Sequence, residues 1–402
     1  LGLRLGGGNL GIALFIALQT LFLSGVFAYT LRDMARMRVP AAARAAVCCL
    51  YAFLPVIDCY AAVVVKDVLY AAAFVGYLVV VSHALTDGAA CRKRKGWWIA
   101  FIVFSCLLLL IRHNGKLIVW PTTLLLMMKG WKTAAPKRRL AQGALLAAPV
   151  ALALLFQLLV AAPATLAVDS TPDVLGLAMQ QTARIARDHG GDVSLRDREN
   201  IDRLLSYDEL ANAYTPRITD PVKRLYRYFD QVTLAEKLDF TGTWLRLAAR
   251  YPETAFHAFW ALNAGYIDPL VDGTAYVDRM TPATSPKYAV TVAATHPAAL
   301  EGLRGRVLAA EAVWRGLPLV SQLNSVGLYP WLLFLGMGLL GRAKRREYRC
   351  AYLPSLITLG ACLLAPGYYS CTRYVFPLVY GAPYLLATTG ALIAGKGVPG
   401  EA

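Results

Sequence analysis

Long apolar runs separated by short clusters of arginine and lysine are the feature that most constrains this chain. The 402-residue sequence is 57% hydrophobic and 16% charged, whereas charged residues make up about 25% of an ordinary soluble domain. About nine runs are apolar enough to suggest membrane spans: 9–31, 45–65, 68–85, 97–111, 117–128, 140–162, 326–340, 352–364 and 374–393. We therefore predict an all-α, polytopic transmembrane helix bundle.

The basic clusters orient this bundle. Loops rich in arginine and lysine stay in the cytoplasm, and if the runs alternate in direction the clusters at 32–44, 92–95, 129–139 and 342–349 all fall on that side. The formal net charge of +16 is thus explained by cytoplasmic loops, and we do not expect nucleic acid as a partner. The cysteines lack metal-ligand spacing and are interpreted as small core residues.

The runs divide the chain into three parts. We predict N-terminal membrane spans over 1–162, a helical extracytoplasmic segment over 163–325, and C-terminal membrane spans over 326–402. Ser194 with Asp197, Thr233 with Glu236, and Asp220 before Pro221 have the spacing of helix starts.

An apolar stretch near 253–267 tests this partition. It is too short to cross a membrane, and counting it as a span would place the basic cluster at 342–349 outside. We predict a helix lying in the outer membrane interface, with Trp260 and Tyr266 at headgroup level.

A polar break at Arg112-His113-Asn114-Gly115-Lys116 separates two apolar runs that are each shorter than the ~20 residues needed for a span. Charged groups below the membrane surface must face a protein-lined cavity and find partners, which favours a functional site. The alternative is a hairpin turn, in which Asn114-Gly115 supplies positive φ angles and the cations reach the headgroups.

Other polar groups are expected at the same outer face, among them Asp58, Lys66, Asp67 and Arg373. A cavity lined by cations there would bind an anion that carries a lipid tail. A carboxylate among them would serve as a general base. Lys66-Asp67 can also be a local ion pair and helix N-cap, and Arg373 a headgroup anchor.

Two stretches of the external segment stand out, namely Gln180-Gln181 and 214–223. From the residues alone they are interpreted as helix surface and turn. His113 is a weak metal candidate, because no second His or Cys lies at ligand spacing.

The order of several short motifs carries a resemblance that covers almost the whole chain: Lys66-Asp67, Arg112-His113-Asn114-Gly115, Gln180-Gln181, Asp220-Pro221-Val222-Lys223, Tyr251-Pro252 and Arg373-Tyr374-Val375-Phe376-Pro377. With these motifs the chain resembles an uncharacterised family of bacterial multi-pass membrane proteins, of the domain of unknown function 6020 type. That family is loosely similar to the GT-C membrane glycosyltransferases.

The resemblance implies a GT-C-like enzyme of the bacterial plasma membrane. Such an enzyme takes a sugar from a polyprenyl-phosphate carrier, a membrane lipid, and passes it to an envelope glycan or protein acceptor on the outer face. It implies lipid-phosphate or substrate ligands at Lys66, Arg112, His113, Asn114, Lys116, Arg373 and Tyr374. No cofactor is predicted beyond a divalent metal of unknown identity.

In GT-C enzymes a carboxylate of the first external loop usually serves as the base. The chain starts at Leu1, just before the first apolar run, and we expect that loop and its carboxylate to precede it. Asp67 is the candidate that takes its place here. Two other functions stay open: a transporter or flippase of a lipid-linked anion, and a non-catalytic envelope assembly protein.

Overall fold

The computed structural model describes residues 2–88, 90–133, 136–161, 171–227, 232–271, 298–318, 320–369 and 372–395. Side chains are described for the same residues except 2–9, 130–133, 136–138, 160–161 and 315. Within this part of the chain helices predominate, and the β pairing consists of isolated bridges only. The predicted all-α class is confirmed.

The α-helices longer than one turn include one for most of the apolar runs and several more within 163–325. In chain order they are α1 (Gly2–Arg36), α2 (Ala41–Phe53), α3 (Pro55–Ala61), α4 (Lys66–Thr86), α5 (Lys95–Ile111), α6 (Gly115–Thr133), α7 (Pro136–Phe156), α8 (Gly176–His189), α9 (Leu195–Asp202), α10 (Tyr207–Ala213), α11 (Leu234–Arg250), α12 (Pro252–Asn263), α13 (Glu301–Gly316), α14 (Leu328–Arg342), α15 (Leu353–Leu364) and α16 (Phe376–Ile393). Short helical turns lie between them, including Asp220–Lys223, Ser321–Asn324 and Thr372–Tyr374.

Four helices are long and apolar enough to cross a membrane: Leu10–Arg36, Lys66–Thr86, Arg139–Leu159 and Phe376–Ile393. They fit a membrane protein, since about 20 apolar residues are required to cross ~30 Å of hydrocarbon. Helices α5 and α14 are apolar but shorter. The nine-span arrangement and its orientation stay predictions.

The second predicted span, over 45–65, is a broken pair of helices that is long and apolar enough to cross a membrane only when both are counted together. It consists of α2 and α3, which are bent by 48° at Leu54. Pro55 explains the break, because its ring disfavours helical geometry in the preceding residue and it has no N–H to donate. Asn324 stabilises the new helix start, where its side-chain oxygen accepts a hydrogen bond from the Val56 N–H at 3.2 Å.

The chain forms two compact units. The first comprises Leu1–Ala161, Pro269–Thr358 and Thr372–Ala402, and the second comprises Ala162–Asp268 and Leu359–Cys371. The predicted boundary between 162 and 163 lies outside the described residues. The three predicted parts were assigned to sides of a membrane, and a grouping by contacts does not test that assignment.

Helix α4 is the centre of the first unit and packs against α1, α5 and α16. Its side chains are buried along nearly the whole helix, from Asp67 to Ala84. Large aromatic side chains fill the space around it, including Tyr77, Phe101 and Tyr380, each essentially inaccessible. Because α4 is buried at both ends, polar groups there must find partners inside the protein.

Helix α8 is the centre of the second unit and packs against α10, α11 and α12. Its core is apolar, with Met179, Ile185, Leu205 and Phe240 all inaccessible. This burial shows that the part of the predicted segment 163–325 that belongs to this unit is folded and helical.

The helix starts of the second unit match the sequence patterns with one correction. Thr233 and Glu236 form a complete capping box, and the Ser194 hydroxyl accepts a hydrogen bond from the Asp197 N–H. At Asp220–Lys223, however, the N-cap is Thr219. The turn therefore begins one residue earlier than predicted.

Three side chains of the second unit are more buried than expected. Gln180 and Gln181 are 0% and 8% exposed, so their interpretation as helix surface is wrong. Gln180 donates to the Thr215 carbonyl at 2.6 Å and Gln181 to the Ala255 carbonyl at 2.8 Å. Tyr266 is inaccessible and thus cannot lie at headgroup level, whereas Trp260 is 47% exposed.

Candidate functional site

The break between α5 and α6 is a tight turn that depends on a glycine. Arg112 is extended, and the Gly115 N–H donates to its carbonyl at 3.0 Å. A Cβ on Gly115 would lie 2.0 Å from the carbonyl oxygen of Leu108. The hairpin alternative expected positive φ angles at Asn114 and Gly115, and this expectation is wrong, because φ is not positive at either residue. The glycine is required instead by the close approach of the backbone.

Arg112 forms an ion pair with Asp67 in the first turn of α4. Its Nη1 lies 2.8 Å from the Asp67 carboxylate, and the two side chains are 13% and 6% exposed. The N-cap of α4 is Val65, so Asp67 is not the cap. The partner of Asp67 is Arg112, and the alternative of a local pair with its neighbour Lys66 does not account for this contact. A carboxylate in the first turn also interacts favourably with the helix dipole.

Two tyrosines hold the guanidinium of Arg112 in place. Its Cζ lies 4.6 Å from the ring centre of Tyr374 and 5.6 Å from that of Tyr70. Arg373 lies over the same Tyr374 ring at 5.6 Å. These cation–π contacts bring the turn Thr372–Tyr374 to the α5–α6 break, although the two are remote in sequence.

A cavity of about 160 Å³ opens beside this ion pair. Its polar side is formed by Lys66, Arg112, His113, Lys116 and Gln157. The remaining wall is apolar and comes from α5, α6 and α7, with Leu109, Leu110, Ile111, Trp120, Val150, Ala153, Leu154 and Phe156. The cavity therefore combines cationic side chains with hydrocarbon and aromatic groups in one lining.

Gln19 of α1 is hydrogen-bonded to the backbone that precedes Lys66. Its side-chain amide donates to the carbonyls of Ala61 at 2.9 Å and Val63 at 2.8 Å, between α3 and α4. At 1.5 Å per residue, Gln19 lies about 14 Å from the first residue of the candidate span Leu10–Arg36 and about 25 Å from the last. The non-helical chain before Lys66 thus lies beside the interior of a candidate membrane helix.

The structure brings most of the predicted site residues together. Lys66, Arg112, His113 and Lys116 line the cavity. Asp67 and Tyr374 contact Arg112, and Arg373 contacts Tyr374. Asn114 has a backbone role, because its carbonyl accepts a hydrogen bond from the Leu117 N–H at 3.1 Å. The roles assigned to these residues stay predictions.

Sequence reasoning missed Gln19, Tyr70 and Gln157. Gln19 carried a signal, since an amide inside an apolar run needs a partner in a membrane. Tyr70 lies one helical turn after Asp67, and this spacing predicts a shared face. Gln157 had no comparable signal.

A second polar cluster, also missed, lies at the other end of α4. Asp33 accepts hydrogen bonds from Arg36 at 2.7 Å and from the Tyr384 hydroxyl at 2.7 Å, and lies 2.5 Å from Nε2 of His83. One buried carboxylate thereby connects α1, α4 and α16. Its contacts are all satisfied within the protein, which favours a structural role.

Within the described part of the chain, no group of three or more His, Cys, Asp or Glu side chains is placed to hold a metal ion.

Comparison with known proteins gives one match. No curated protein and no solved structure matches the chain significantly. A family of unknown function (DUF6020) matches residues 3–393, which is nearly the whole sequence. The chain therefore belongs to the DUF6020 family.

Proposed function

We propose that the protein is a GT-C-type glycosyltransferase of the bacterial plasma membrane. It transfers a sugar from a polyprenyl-phosphate carrier to an envelope glycan or protein acceptor, with segment 163–325 outside the cytoplasm. The observation that carries the proposal is the mixed lining of the cavity, in which Lys66, Arg112, His113 and Lys116 join apolar and aromatic side chains.

The chemistry of the cavity suits an amphiphilic anion. Lysine and arginine give charge-assisted hydrogen bonds to phosphate, and the apolar walls suit a hydrocarbon chain. Several wall side chains are exposed in the isolated protein, with Leu110 at 44%, Trp120 at 50% and Leu154 at 49%. A lipid tail that leaves the cavity between them would remain in contact with apolar groups.

The position of the cavity relative to a candidate membrane span supports the same interpretation. Gln19 places the chain before Lys66 beside the interior of a candidate span. Ionisable groups in such a position mark substrate or ion pathways more often than structural features. A lipid carrier would deliver its phosphate to this depth without leaving the bilayer.

The reaction in this proposal is a substitution at the anomeric carbon. The acceptor hydroxyl oxygen attacks that carbon, the bond from carbon to the carrier phosphate oxygen breaks, and the electron pair stays on the phosphate. The cations stabilise the negative charge that develops there. Asp67 takes the acceptor proton once its ion pair with Arg112 opens towards the phosphate.

The test is turnover by the purified, reconstituted protein with polyprenyl-phosphate sugars. The variants Lys116→Gln and Lys66→Gln remove one cation each without leaving a described buried partner. We expect at least a tenfold loss of carrier binding, whereas Lys93→Gln, an exposed cation outside the cavity, serves as the matched control. Normal carrier binding by the double variant would refute the proposal.

A second candidate function is a transporter or flippase of a lipid-linked anion. The broken span α2–α3, bent by 48°, favours it, because transporters place substrate sites at broken helices. Vesicle assays separate the two functions: flux of the lipid-linked anion without any glycosidic product supports transport.

A further inference from the structure

We infer that the carrier recognised by the cavity is a lipid diphosphate rather than a lipid monophosphate. The inference rests on the proposed function and names the headgroup of its substrate. It follows from the number of cations in the cavity that the protein leaves without a counter-charge.

The cavity holds more positive charge than the protein neutralises. Asp67 is paired with Arg112, so this carboxylate compensates one cation. Lys66 and Lys116 line the same cavity, and neither has an ion pair with any described residue. Among the residues that the structure describes, two cations of the cavity therefore remain without a counter-charge.

A half-buried cation beside apolar groups is unfavourable without an anion. Taking an ammonium group out of water costs several kcal/mol, and buried or partly buried charges are normally paired. Lys116 is half-buried and lies beside the apolar wall that contains Trp120. A bound anion of charge −2 would therefore neutralise the two lysines.

The charge of the headgroup distinguishes the two carriers. A sugar linked to a lipid through one phosphate carries −1, and the released lipid phosphate carries up to −2. A sugar linked through a diphosphate carries −2, and the released lipid diphosphate carries up to −3. Two uncompensated cations balance the sugar-linked diphosphate as it binds, whereas the sugar-linked monophosphate leaves one of them unpaired until its bond breaks.

Arg112 has a different role from the lysines in this arrangement. As the donor binds, Asp67 and the Tyr70 and Tyr374 rings still hold its guanidinium, so Arg112 orients one phosphate and contributes little net charge at that stage. Lys66 and Lys116 therefore set the preference for the second phosphate. Their removal should change selectivity between headgroups more than affinity for a monophosphate.

The experiment compares dissociation constants for the full chain in nanodiscs of zwitterionic lipid. The probes are a long-chain polyprenyl diphosphate that carries a sugar, a polyprenyl monophosphate of the same chain length that carries the same sugar, and inorganic diphosphate. We expect the lipid diphosphate to bind at least tenfold more tightly than the lipid monophosphate. Inorganic diphosphate should bind at least a hundredfold more weakly than the lipid diphosphate, since the apolar walls then contribute nothing.

The double variant Lys66→Gln/Lys116→Gln tests the cause of the preference. We expect the ratio between the two lipids to fall below threefold, with an unchanged melting temperature, while Lys93→Gln keeps the ratio of the parent protein. A parent ratio near one, or a ratio unaffected by the double variant, would overturn the inference.

The outcomes separate this inference from the proposed function. Equal, tight binding of both lipids overturns the diphosphate preference and leaves a lipid-phosphate site intact. Binding of inorganic diphosphate as tightly as the lipid diphosphate overturns the lipid carrier. Failure of all three probes to bind overturns the site itself, and with it the proposed function.

Discussion

Arg112 and Asp67 form an ion pair in which both side chains are almost completely buried, with 2.8 Å between Nη1 and the carboxylate. The pair joins the start of α4 to the α5–α6 break. A buried charge that loses its partner is much less favourable than a buried pair. Any substitution at either residue therefore affects folding as well as binding.

The single variant Arg112→Ala should lose stability, because it leaves the Asp67 carboxylate buried and unpaired. Breaking such a pair costs about 3–5 kcal/mol. The double variant Arg112→Gln/Asp67→Asn removes both charges and should recover most of that loss. Denaturant unfolding of the reconstituted proteins measures both values, and equal stability of the single and double variants would contradict the pairing.

Gly115→Ala should disturb the break that positions Arg112. The added Cβ would lie 2.0 Å from the Leu108 carbonyl oxygen, so the backbone must shift, at a cost of about 1–3 kcal/mol. We expect a lower melting temperature together with weaker binding of lipid phosphate. Gly96→Ala is the matched control, because nothing lies within 4 Å of its Cβ position, and it should behave as the parent protein.

Gln181→Ala should destabilise the second unit. The Gln181 amide donates to the Ala255 carbonyl and accepts from the Trp244 indole N–H, both at 2.8 Å. A buried polar group left without a partner costs about 1–3 kcal/mol. Denaturant unfolding followed by tryptophan fluorescence should show this loss. Glu253→Gln, whose side chain is 90% exposed in the parent, should leave the unfolding curve unchanged.

Acid should weaken the second unit through Asp197. Burial opposes its ionisation, but hydrogen bonds from Arg246 and Ser194 outweigh burial and lower the pKa of Asp197. A lowered pKa means that the folded state binds its proton less readily than the unfolded state, whose Asp pKa is about 3.9. The stabilisation is therefore complete above that value and is lost as pH falls through the lower, folded pKa.

Melting temperatures measured from pH 5 downwards test this dependence. Arg246→Ala should flatten the acid limb, because it removes the 2.6 Å contact between its guanidinium and Asp197. Asp208→Asn, at an exposed position, should keep the slope of the parent protein. A slope that Arg246→Ala does not change would assign the acid sensitivity to other carboxylates.

The sequence predicted the helices well, because apolar runs and helix starts are local signals. The capping box of Thr233 and Glu236 is an example, and so is the polar break at Arg112. The bend at Leu54 was missed although Pro55 marks it, since the apolar run continues through the proline without a change in composition.

Contacts between remote segments were harder to predict. The order of the spans predicted that the cations near the cavity lie on one side of the bundle. It did not predict which residue pairs with Asp67. Which residue meets Asp67 depends on the rotation of α4 against the α5–α6 break, and this rotation follows from packing of Tyr70 and Tyr374. The burial of Gln181 likewise depends on helices that are distant in sequence.

Gln19→Leu should loosen the chain that carries Lys66 and Asp67. It removes both hydrogen bonds to the Ala61 and Val63 carbonyls. The Val63 carbonyl keeps its bond from the Val65 N–H, whereas an acceptor left unpaired away from water costs about 1–3 kcal/mol. We expect faster hydrogen exchange of the amides between α3 and α4, together with weaker binding of lipid phosphate. Thr20→Val, at an exposed position of the same helix, is the control and should alter neither measurement. Unchanged exchange in Gln19→Leu would show that these carbonyls do not depend on Gln19, and the depth assigned to the cavity would lose its support.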